Sequence, residues 1–461
     1  MILKTAVEAR KEVQDFELQS PPCAGDIPQV VKDPAHGGDC SSKDCASFPH
    51  SIAVFRMMTH SQASAVHPHS SPWLPDLSNL KITNDNLSFG FEVLHFSKKS
   101  RARVGKITTP HGVIDTPNFV GVGTNGTLKA LDNESVNAIG LQLMFCNTYH
   151  LMLQPGTEVV SQAGGLHRYI NRSLPIITDS GGFQVFSLAY GSVANELKGR
   201  GTKKNDGHVL KITEEGVLFR SYRDGAKILL TPESSISAQK DFGADIIIPF
   251  DELPPYHITD IDLQKSLERT HRWEKRSLDA HLSNLKNQAM YAVVHGGIHP
   301  ELRKMSCEFL TNLPFDGFAI GGSMGKSKQE MVNMLALTMP LLPIDKPNHL
   351  LGIGDLESIE QCMPLGIDTF DSSYPTRAAR HGLLLTKKGA LKITKSEHAK
   401  SFFPPEEECL CSTCRHFSLA YLHHLFKARE MTFMTLATIH NLYFMVDLMK
   451  NYRQRILRDE I

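Results

Sequence analysis

The sequence has no run of 18 apolar residues, so we expect no transmembrane helix. It has no excess of either charge, because its 49 basic residues are balanced by 49 acidic ones. Taken alone, this balance argues against a nucleic-acid partner. Tryptophan is scarce as well, since Trp73 and Trp273 are the only two in 461 residues. The length and the apolar content of 41% suffice for one large barrel with additions.

Cysteine is sparse except at one place. The nine cysteines are an odd number and are spread along the chain, which predicts reduced thiols in an intracellular, cytoplasmic protein. The exception is Cys409, Cys411 and Cys414, which are followed by His440. Three thiolates and one imidazole complete a tetrahedral Zn²⁺ shell, so we predict one structural zinc ion per chain. The alternative, unpaired core cysteines beside a helical histidine, does not explain so dense a cluster.

Positive charge is concentrated near the C-terminus despite the overall balance. Residues 371–461 contain 14 Lys and Arg against 9 Asp and Glu. Asp371 is followed closely by Arg377 and Arg380. A carboxylate beside a basic segment suggests an enzyme that holds a polyanion while attacking it.

Residues 1–87 differ in composition from the rest of the chain. They contain scattered prolines and show no sustained helical or strand period, which predicts a largely disordered extension. A targeting segment, a regulatory tail and a start of translation at Met57 or Met58 all remain open for this part.

Eight short apolar runs separated by helical stretches follow from Phe91 onward, and they predict a (β/α)₈ TIM barrel over residues 88–400. Residues 401–461 are predicted to form a zinc-binding subdomain with a C-terminal helix packed on the barrel. Ala102–Ile114 is predicted to be a hairpin that caps the barrel's N-terminal entrance, and Asp262–His281 and Lys328–Leu342 are predicted helices. The predicted strands are Asn118–Val122, Leu141–Cys146, Pro175–Thr178, Ile246–Phe250, Met290–Val294, Gly317–Ile320, His349–Ile353 and Gly366–Phe370.

Functional side chains of such a barrel emerge at the C-terminal ends of its strands. Acids follow the third, fourth and eighth predicted strands, as Asp179, Asp251 and Asp371. Each of them alone is also compatible with a helix N-cap. Two facing carboxylates allow double displacement at an anomeric carbon, where one attacks and the other handles protons.

Other strand ends carry groups that suit a flat base. Asp251 can accept hydrogen bonds from N1–H and the exocyclic amine of guanine, while Gln184 and the Gly321-Gly322 backbone address the opposite edge. Asn147 follows the second strand and His295 the fifth.

These residues resemble those of the tRNA-guanine transglycosylases, also called queuine tRNA-ribosyltransferases. The resemblance implies a barrel with a zinc subdomain that acts as a homodimer. It also implies exchange of guanine at the wobble position of tRNA with a GUN anticodon for a 7-deazaguanine base. The matching stretches are Asn147–His150, Thr178–Gln184, Arg220–Gly225, Gly317–Gly322, Phe370–Arg380 and the Cys₃His set.

The resemblance also implies a role for each matching position. It makes Asp371 the nucleophile, Asp179 the second active-site aspartate and Asp251 the residue that recognises the base. The remaining implied roles are pocket positions for Ser180, Gln184 and Gly322, contacts to the anticodon loop for Arg377 and Arg380, and zinc ligation for Cys409, Cys411, Cys414 and His440.

Two departures from the family pattern lie at the pocket edge. His295 stands where members usually have Gln, and the loop that begins at Ser323 is one residue shorter than is common. Extra room there favours queuine, with its bulky cyclopentenediol, over the aminomethyl precursor, and His295 is a donor for one of its hydroxyls. The alternative is a repacked loop with His295 as a simple donor to the base carbonyl.

Two other functions are compatible with parts of the pattern. A non-catalytic partner subunit of such an enzyme would not need the three acids that this chain keeps. A retaining glycoside hydrolase would use two carboxylates, but it needs neither the zinc set nor the arginines, and it tends to line sugar subsites with tryptophan.

Overall fold

The computed structural model describes residues 89–190 and 209–461. The predicted extension, residues 1–87, lies outside the described residues. Eight parallel strands close into a barrel, and neighbours in the chain are neighbours in the barrel, which confirms the predicted (β/α)₈ fold. The barrel strands are β4 (Asn118–Val122), β5 (Met144–Cys146), β6 (Ile176–Thr178), β10 (Ile246–Ile247), β11 (Ala289–Val294), β12 (Gly317–Ile320), β13 (Asn348–Leu350) and β14 (Thr369–Ser372).

The barrel strands are short and apolar because both of their faces are buried. Some predicted strands end earlier than their apolar runs. The run at Ile246 extends to Phe250, yet β10 ends at Ile247. The Gln239 side chain accepts a hydrogen bond from the Ile248 amide (2.9 Å) and donates one to its carbonyl oxygen (2.8 Å). A side chain from a helix therefore takes the place of the hydrogen bonds between strands just before Asp251.

Helices surround the barrel, and several begin at a side-chain cap. Thr259 caps the long helix Asp260–Ser283, and Ser327 forms a capping box with Glu330. The second predicted helix, Lys328–Leu342, ends as a short 3₁₀ segment because Pro340 interrupts the α-helical hydrogen bonds. The α-helices are Asn133–Ile139, Thr148–Leu153, Thr157–Gln162, Leu166–Tyr169, Gly182–Tyr190, Pro232–Phe242, Asp260–Ser283, Pro300–Thr311, Lys328–Thr338, Leu356–Cys362, Tyr374–Arg380, Ser412–His416, Leu419–Ala428 and Met431–Leu457. The 3₁₀ helices are Met339–Leu341, Met363–Leu365 and Ser396–Lys400.

An antiparallel sheet of β1 (Gly90–Phe96), β2 (Arg103–Thr109) and β3 (Gly112–Thr116) lies at the N-terminal end of the barrel. It contains the predicted hairpin, and Ile107 and Ile114 join the core inside the barrel. Asp245, just before β10, accepts hydrogen bonds from the backbone amide and Nδ1 of His111 in the β2–β3 turn. The sheet therefore closes the end of the barrel opposite to the predicted site.

Two further sheets are small. Strands β7 (Val209–Ile212), β8 (Val217–Arg220) and β9 (Lys227–Leu230) form an antiparallel sheet between the third and fourth barrel strands. Strands β15 (Leu383–Thr386) and β16 (Gly389–Lys392) form a hairpin after the last barrel strand. Leu384 of that hairpin belongs to a second hydrophobic core with Leu422 and Phe433 of the C-terminal helices.

The helix Met431–Leu457 connects this second core to the barrel. Leu442 and Met445 are buried in the main core, while Phe433 and Leu436 are buried in the second one. Arg453 on the same helix donates hydrogen bonds to the carbonyl oxygens of Gly105 and Thr116. None of the helices in the described ranges combines the length and the apolar character needed to cross a membrane.

Candidate active site

Asp179 follows β6 and is fully enclosed by donors. Its Oδ2 accepts hydrogen bonds from Asn147 Nδ2 (2.5 Å) and Gln184 Nε2 (2.9 Å), and its Oδ1 from the amides of Thr148 (2.8 Å) and Gly181 (3.2 Å). Burial raises the pKa of this carboxyl to about 6, although the hydrogen bonds oppose the shift. Asp179 therefore changes protonation close to neutral pH, which suits a group that exchanges protons with a substrate.

Asp251 follows β10 and has a partner on each oxygen. Ser180 Oγ donates to Oδ1 and His295 Nε2 lies near Oδ2, both at 2.9 Å. Ser180 is the residue after Asp179, so one hydroxyl joins the third and fourth strand ends. His295 therefore holds the Asp251 carboxylate, a contact that the sequence did not suggest.

The predicted glycines allow backbone to approach these side chains closely. Gly322 has a φ of +78°, and a Cβ there would lie 2.9 Å from Nδ1 of His295. A Cβ on Gly321 would lie 2.7 Å from a methyl group of Val293. The backbone after β12 therefore packs directly on the His295 ring, which no larger residue permits.

Asp371 lies at the end of β14, three strands around the barrel from Asp179. Its Oδ1 has two partners, the Gly352 amide at 2.6 Å and His349 Nε2 at 3.0 Å. The side chain keeps 8% of its surface exposed. No hydrogen bond from the described residues reaches Oδ2.

His349 is the main site residue that the sequence analysis missed. It is the first residue of the predicted strand His349–Ile353. Its ring is fully buried and stacks at 5.9 Å on Phe145 inside the barrel. One feature of the sequence points to His349: a histidine within a buried barrel strand needs a polar partner, because an unpaired polar group is costly to bury.

Arg377 and Arg380 lie on the helix Tyr374–Arg380, immediately after β14. Arg377 is exposed and donates to Ser373 Oγ at 2.9 Å, while Arg380 is half-buried. Burial and the repulsion by Arg377 lower the pKa of Arg380. The two guanidinium groups therefore form a positive patch next to Asp371.

Cys409, Cys411, Cys414 and His440 form the predicted cluster. Nδ1 of His440 lies 3.8, 3.6 and 3.2 Å from the three sulfur atoms, in the order of the chain. Tetrahedral Zn²⁺ with ordinary bond lengths needs ligand separations of about 3.5–3.8 Å, so these four residues can hold a metal ion. His440 Nε2 lies 2.8 Å from the Leu385 carbonyl oxygen, which leaves Nδ1 for the metal.

The thiols of the cluster affect one another even without a metal. Hydrogen bonds from Cys409 and Cys414 lower the pKa of the Cys411 thiol, whereas those with Cys409 and Cys411 raise the pKa of the Cys414 thiol. Of these two thiols, Cys411 therefore loses its proton more readily. A thiolate is the form that binds metal ions.

Comparison with known proteins identifies the family to which this arrangement belongs. A family model described as queuine tRNA-ribosyltransferase matches residues 98–461, a range that contains the barrel, the three carboxylates and the Cys₃His cluster. The chain belongs to the queuine tRNA-ribosyltransferase family. This membership confirms the predicted enzyme class, a tRNA-modifying ribosyltransferase, and decides against a retaining glycoside hydrolase.

Relatives named queuine tRNA-ribosyltransferase match over nearly their whole length. The protein of Protochlamydia amoebophila is 76% identical over 373 residues, covering 81% of this chain and 96% of the relative. That of Chlamydia caviae is 56% identical over 376 residues, covering 81% of this chain and all of the relative. That of Chlamydia trachomatis serovar D is 53% identical with the same coverage.

A cavity opens beside His295, the partner of Asp251. His295, Gly322 and Ser323 form one wall, so the cavity lies at the pocket edge where the sequence departs from the family pattern. Its other walls mix polar and apolar groups, namely Glu252, Pro254, Pro255, Tyr256, Ile258, Leu263, Ser266, Leu267, Thr270, Gly296, Gly297, Ile298 and His299.

Proposed function

We propose that this enzyme replaces the wobble guanine of tRNA with a GUN anticodon by a 7-deazaguanine base, through a covalent ribosyl-aspartate intermediate. The observation that carries the proposal is the difference between Asp371 and Asp179 at one barrel rim. Asp371 has one oxygen held by two donors and the other free of hydrogen bonds from the described residues. Asp179 has both oxygens held and a pKa near neutrality.

In the first displacement, a lone pair of Asp371 Oδ2 forms a bond to C1′ of the ribose. The C1′–N9 bond breaks and its electron pair leaves with guanine. Asp179, in its protonated form, supplies the proton that neutralises the departing base. The product is an ester between Asp371 and the tRNA ribose.

In the second displacement, the incoming base attacks C1′ through N9. Its N9 proton passes to Asp179, now a carboxylate, and the C1′–O bond returns its electron pair to Asp371. One residue serves as acid and then as base because its pKa of about 6 lies close to the working pH. The enzyme is regenerated and no water is consumed.

Base recognition is assigned to the group around Asp251. Its carboxylate accepts from N1–H and the exocyclic amine of the base, and Ser180 and His295 fix its orientation. Asn147 and Gln184 hold Asp179 on the other side of the base. The backbone of Gly321 and Gly322 completes the pocket; the Gly321 amide donates to the Val294 carbonyl oxygen, so the Gly322 amide is the one assigned to the base.

We propose that Arg377 and Arg380 contact the anticodon loop and that the Cys₃His cluster binds one structural zinc ion. When bound, that ion would hold residues 401–461 against the barrel of residues 88–400. A homodimer is proposed from the family alone. A cytoplasmic location agrees with the substrate and with the six free cysteines of the described residues.

Queuine is the proposed incoming base, in preference to the aminomethyl precursor. The cavity next to His295, Gly322 and Ser323 lies at the pocket edge to which the cyclopentenediol would extend, and its polar groups suit the two hydroxyls. His295 contributes through Asp251, since Nε2 is engaged there and Nδ1 faces Gly322. The position of the cavity, together with the short loop after Gly322, supports this choice of base.

The test of this function is the incorporation of radiolabelled guanine into unmodified tRNA, measured alongside the formation of abasic tRNA by hydrolysis. Incorporation that is abolished by Asp371→Asn and accompanied by no abasic tRNA supports the proposal. A non-catalytic partner subunit would bind tRNA and incorporate no label by itself.

A further inference from the structure

His349 lies behind the proposed nucleophile and is completely buried. Its Nε2 is 3.0 Å from Asp371 Oδ1, and its Nδ1 is 2.8 Å from the Thr369 hydroxyl. The Thr369 hydroxyl donates to the Asn348 carbonyl oxygen at 3.1 Å. Strands β13 and β14 thus carry a chain of hydrogen bonds that links Asn348, Thr369, His349 and Asp371.

The donor in the contact between His349 and Asp371 follows from which of the two groups carries a proton. An ionised carboxylate has no proton to give, so Nε2 of His349 carries the hydrogen and donates it. With the Thr369 proton donated to Asn348, Nδ1 of the imidazolium donates to the Thr369 oxygen; in the neutral ring Nδ1 accepts from Thr369 once that hydroxyl turns away from Asn348. Nε2–H faces Oδ1 in both protonation states.

We propose that His349 is a positioning residue that holds the Asp371 carboxylate in its ionised, attack-ready orientation. The proposal rests on the function proposed above. His349 and the Gly352 amide both occupy Oδ1, so Oδ2 is the oxygen that bonds to C1′. The sequence analysis gave His349 no role.

The hydrogen bond from His349 to Asp371 also affects the second displacement, in which the base displaces the ester. In the ester, Oδ2 is bonded to C1′ and Oδ1 is a neutral carbonyl oxygen, which is a weaker acceptor than a carboxylate oxygen. When a base displaces the ester, the electron pair of the C1′–O bond returns to Asp371 and Oδ1 regains charge. The Nε2–H donor therefore favours the free carboxylate over the ester and speeds its departure.

The experiment measures the covalent adduct at equilibrium and its breakdown by added guanine. Full-length enzyme and tRNA are mixed with a series of guanine concentrations, and the adduct is quantified on denaturing gels. His349→Leu removes the donor, and we expect roughly tenfold slower breakdown by guanine. We also expect a higher adduct fraction at each guanine concentration, an effect that general damage to the site would not produce.

The matched control is His349→Gln, because its amide nitrogen can reach the position of Nε2 and donate from there. It should restore most of the wild-type breakdown rate and adduct fraction. Thr369→Val, a change of similar shape that removes the partner of Nδ1 together with the hydrogen bond to the Asn348 carbonyl oxygen, should move both quantities in the same direction as His349→Leu but less. Thr369→Val also tests the role of His349 if His349→Leu does not fold.

Wild-type adduct fractions and breakdown rates in both His349→Leu and Thr369→Val would overturn the proposal. Asp371→Asn separates this failure from a failure of the proposed function. If Asp371→Asn still forms the adduct, Asp371 is not the nucleophile. If it forms none while the His349 variant behaves as wild type, only the role of His349 is lost.

Discussion

Asn441 donates a hydrogen bond of 3.0 Å to the carbonyl oxygen of Pro375 and thereby joins the segment of the Cys₃His cluster to the helix Tyr374–Arg380. Asn441 follows His440, and its side-chain oxygen accepts a hydrogen bond of 2.9 Å from the Leu385 amide. Pro375 belongs to the helix that carries Arg377 and Arg380. The cluster therefore lies one residue away from a contact that fixes the proposed RNA-binding arginines.

Loss of the metal should disturb both stability and tRNA binding. Cys411→Ser is expected to release the zinc ion and to destabilise the C-terminal segment by about 3 kcal/mol or more, because structural Zn²⁺ binding is folding free energy. The KM for tRNA should rise more than the KM for the base. Metal analysis and thermal unfolding check this, with the exposed neighbour Ser412→Ala as control. A metal-free preparation with normal stability and full activity would refute it.

The two half-reactions should respond oppositely to pH. Asp179 donates a proton when guanine leaves, so adduct formation should fall as pH rises above about 6. It accepts a proton when the new base attacks, so adduct breakdown by that base should fall as pH drops below about 6. Single-turnover rates from pH 5 to 8 measure both limbs. Asp179→Asn should remove the pH dependence of both rates. If the pH profiles of the variant and the wild type are identical, Asp179 is not the group that exchanges the proton.

Replacing either arginine should weaken tRNA binding selectively. Arg377→Ala and Arg380→Ala are each expected to raise the KM for tRNA roughly tenfold, the effect of one lost charge-assisted hydrogen bond. The KM for the base should change little. Lys304→Ala, on the helix Pro300–Thr311, is a matched loss of exposed positive charge. Equal effects on both substrates would show that the arginines shape the pocket instead.

Gly322→Ala should act on the base and not on tRNA. The new Cβ would lie 2.9 Å from Nδ1 of His295, and a φ of +78° strains alanine further. The ring would have to move and would disturb its contact with Asp251. We expect kcat/KM for the base to fall roughly tenfold or more, with tRNA affinity retained. Unchanged base kinetics would show that this loop does not border the pocket.

The position of the cavity beside His295 and Ser323 predicts the choice of base. The ratio of kcat/KM for queuine to that for the aminomethyl precursor, measured in competition on one tRNA, should favour queuine. A preference of about tenfold or more for the precursor, about 1.4 kcal/mol, would refute the assignment.

The sequence predicted the barrel and the metal cluster because both depend on local patterns. Buried parallel strands require apolar runs, and a Cys₃His shell requires a dense set of ligands. The sequence did not predict that β10 stops at Ile247. The Gln239 side chain, which takes the place of the neighbouring strand in bonding to the Ile248 backbone, belongs to a separate helix. Nor did the sequence predict the pairing of His295 with Asp251 or of His349 with Asp371, because each pair depends on how side chains from two neighbouring barrel strands are oriented toward each other.

Isolation of the covalent intermediate tests the central claim most directly. Enzyme incubated with tRNA in the absence of a free base should yield an adduct that survives denaturation, and digestion should place the ribose on the peptide containing Asp371. Asp371→Asn should form no adduct and should lower guanine exchange by roughly 10³-fold or more. Ribose attached to Asp179, or undiminished exchange by Asp371→Asn, would contradict the account.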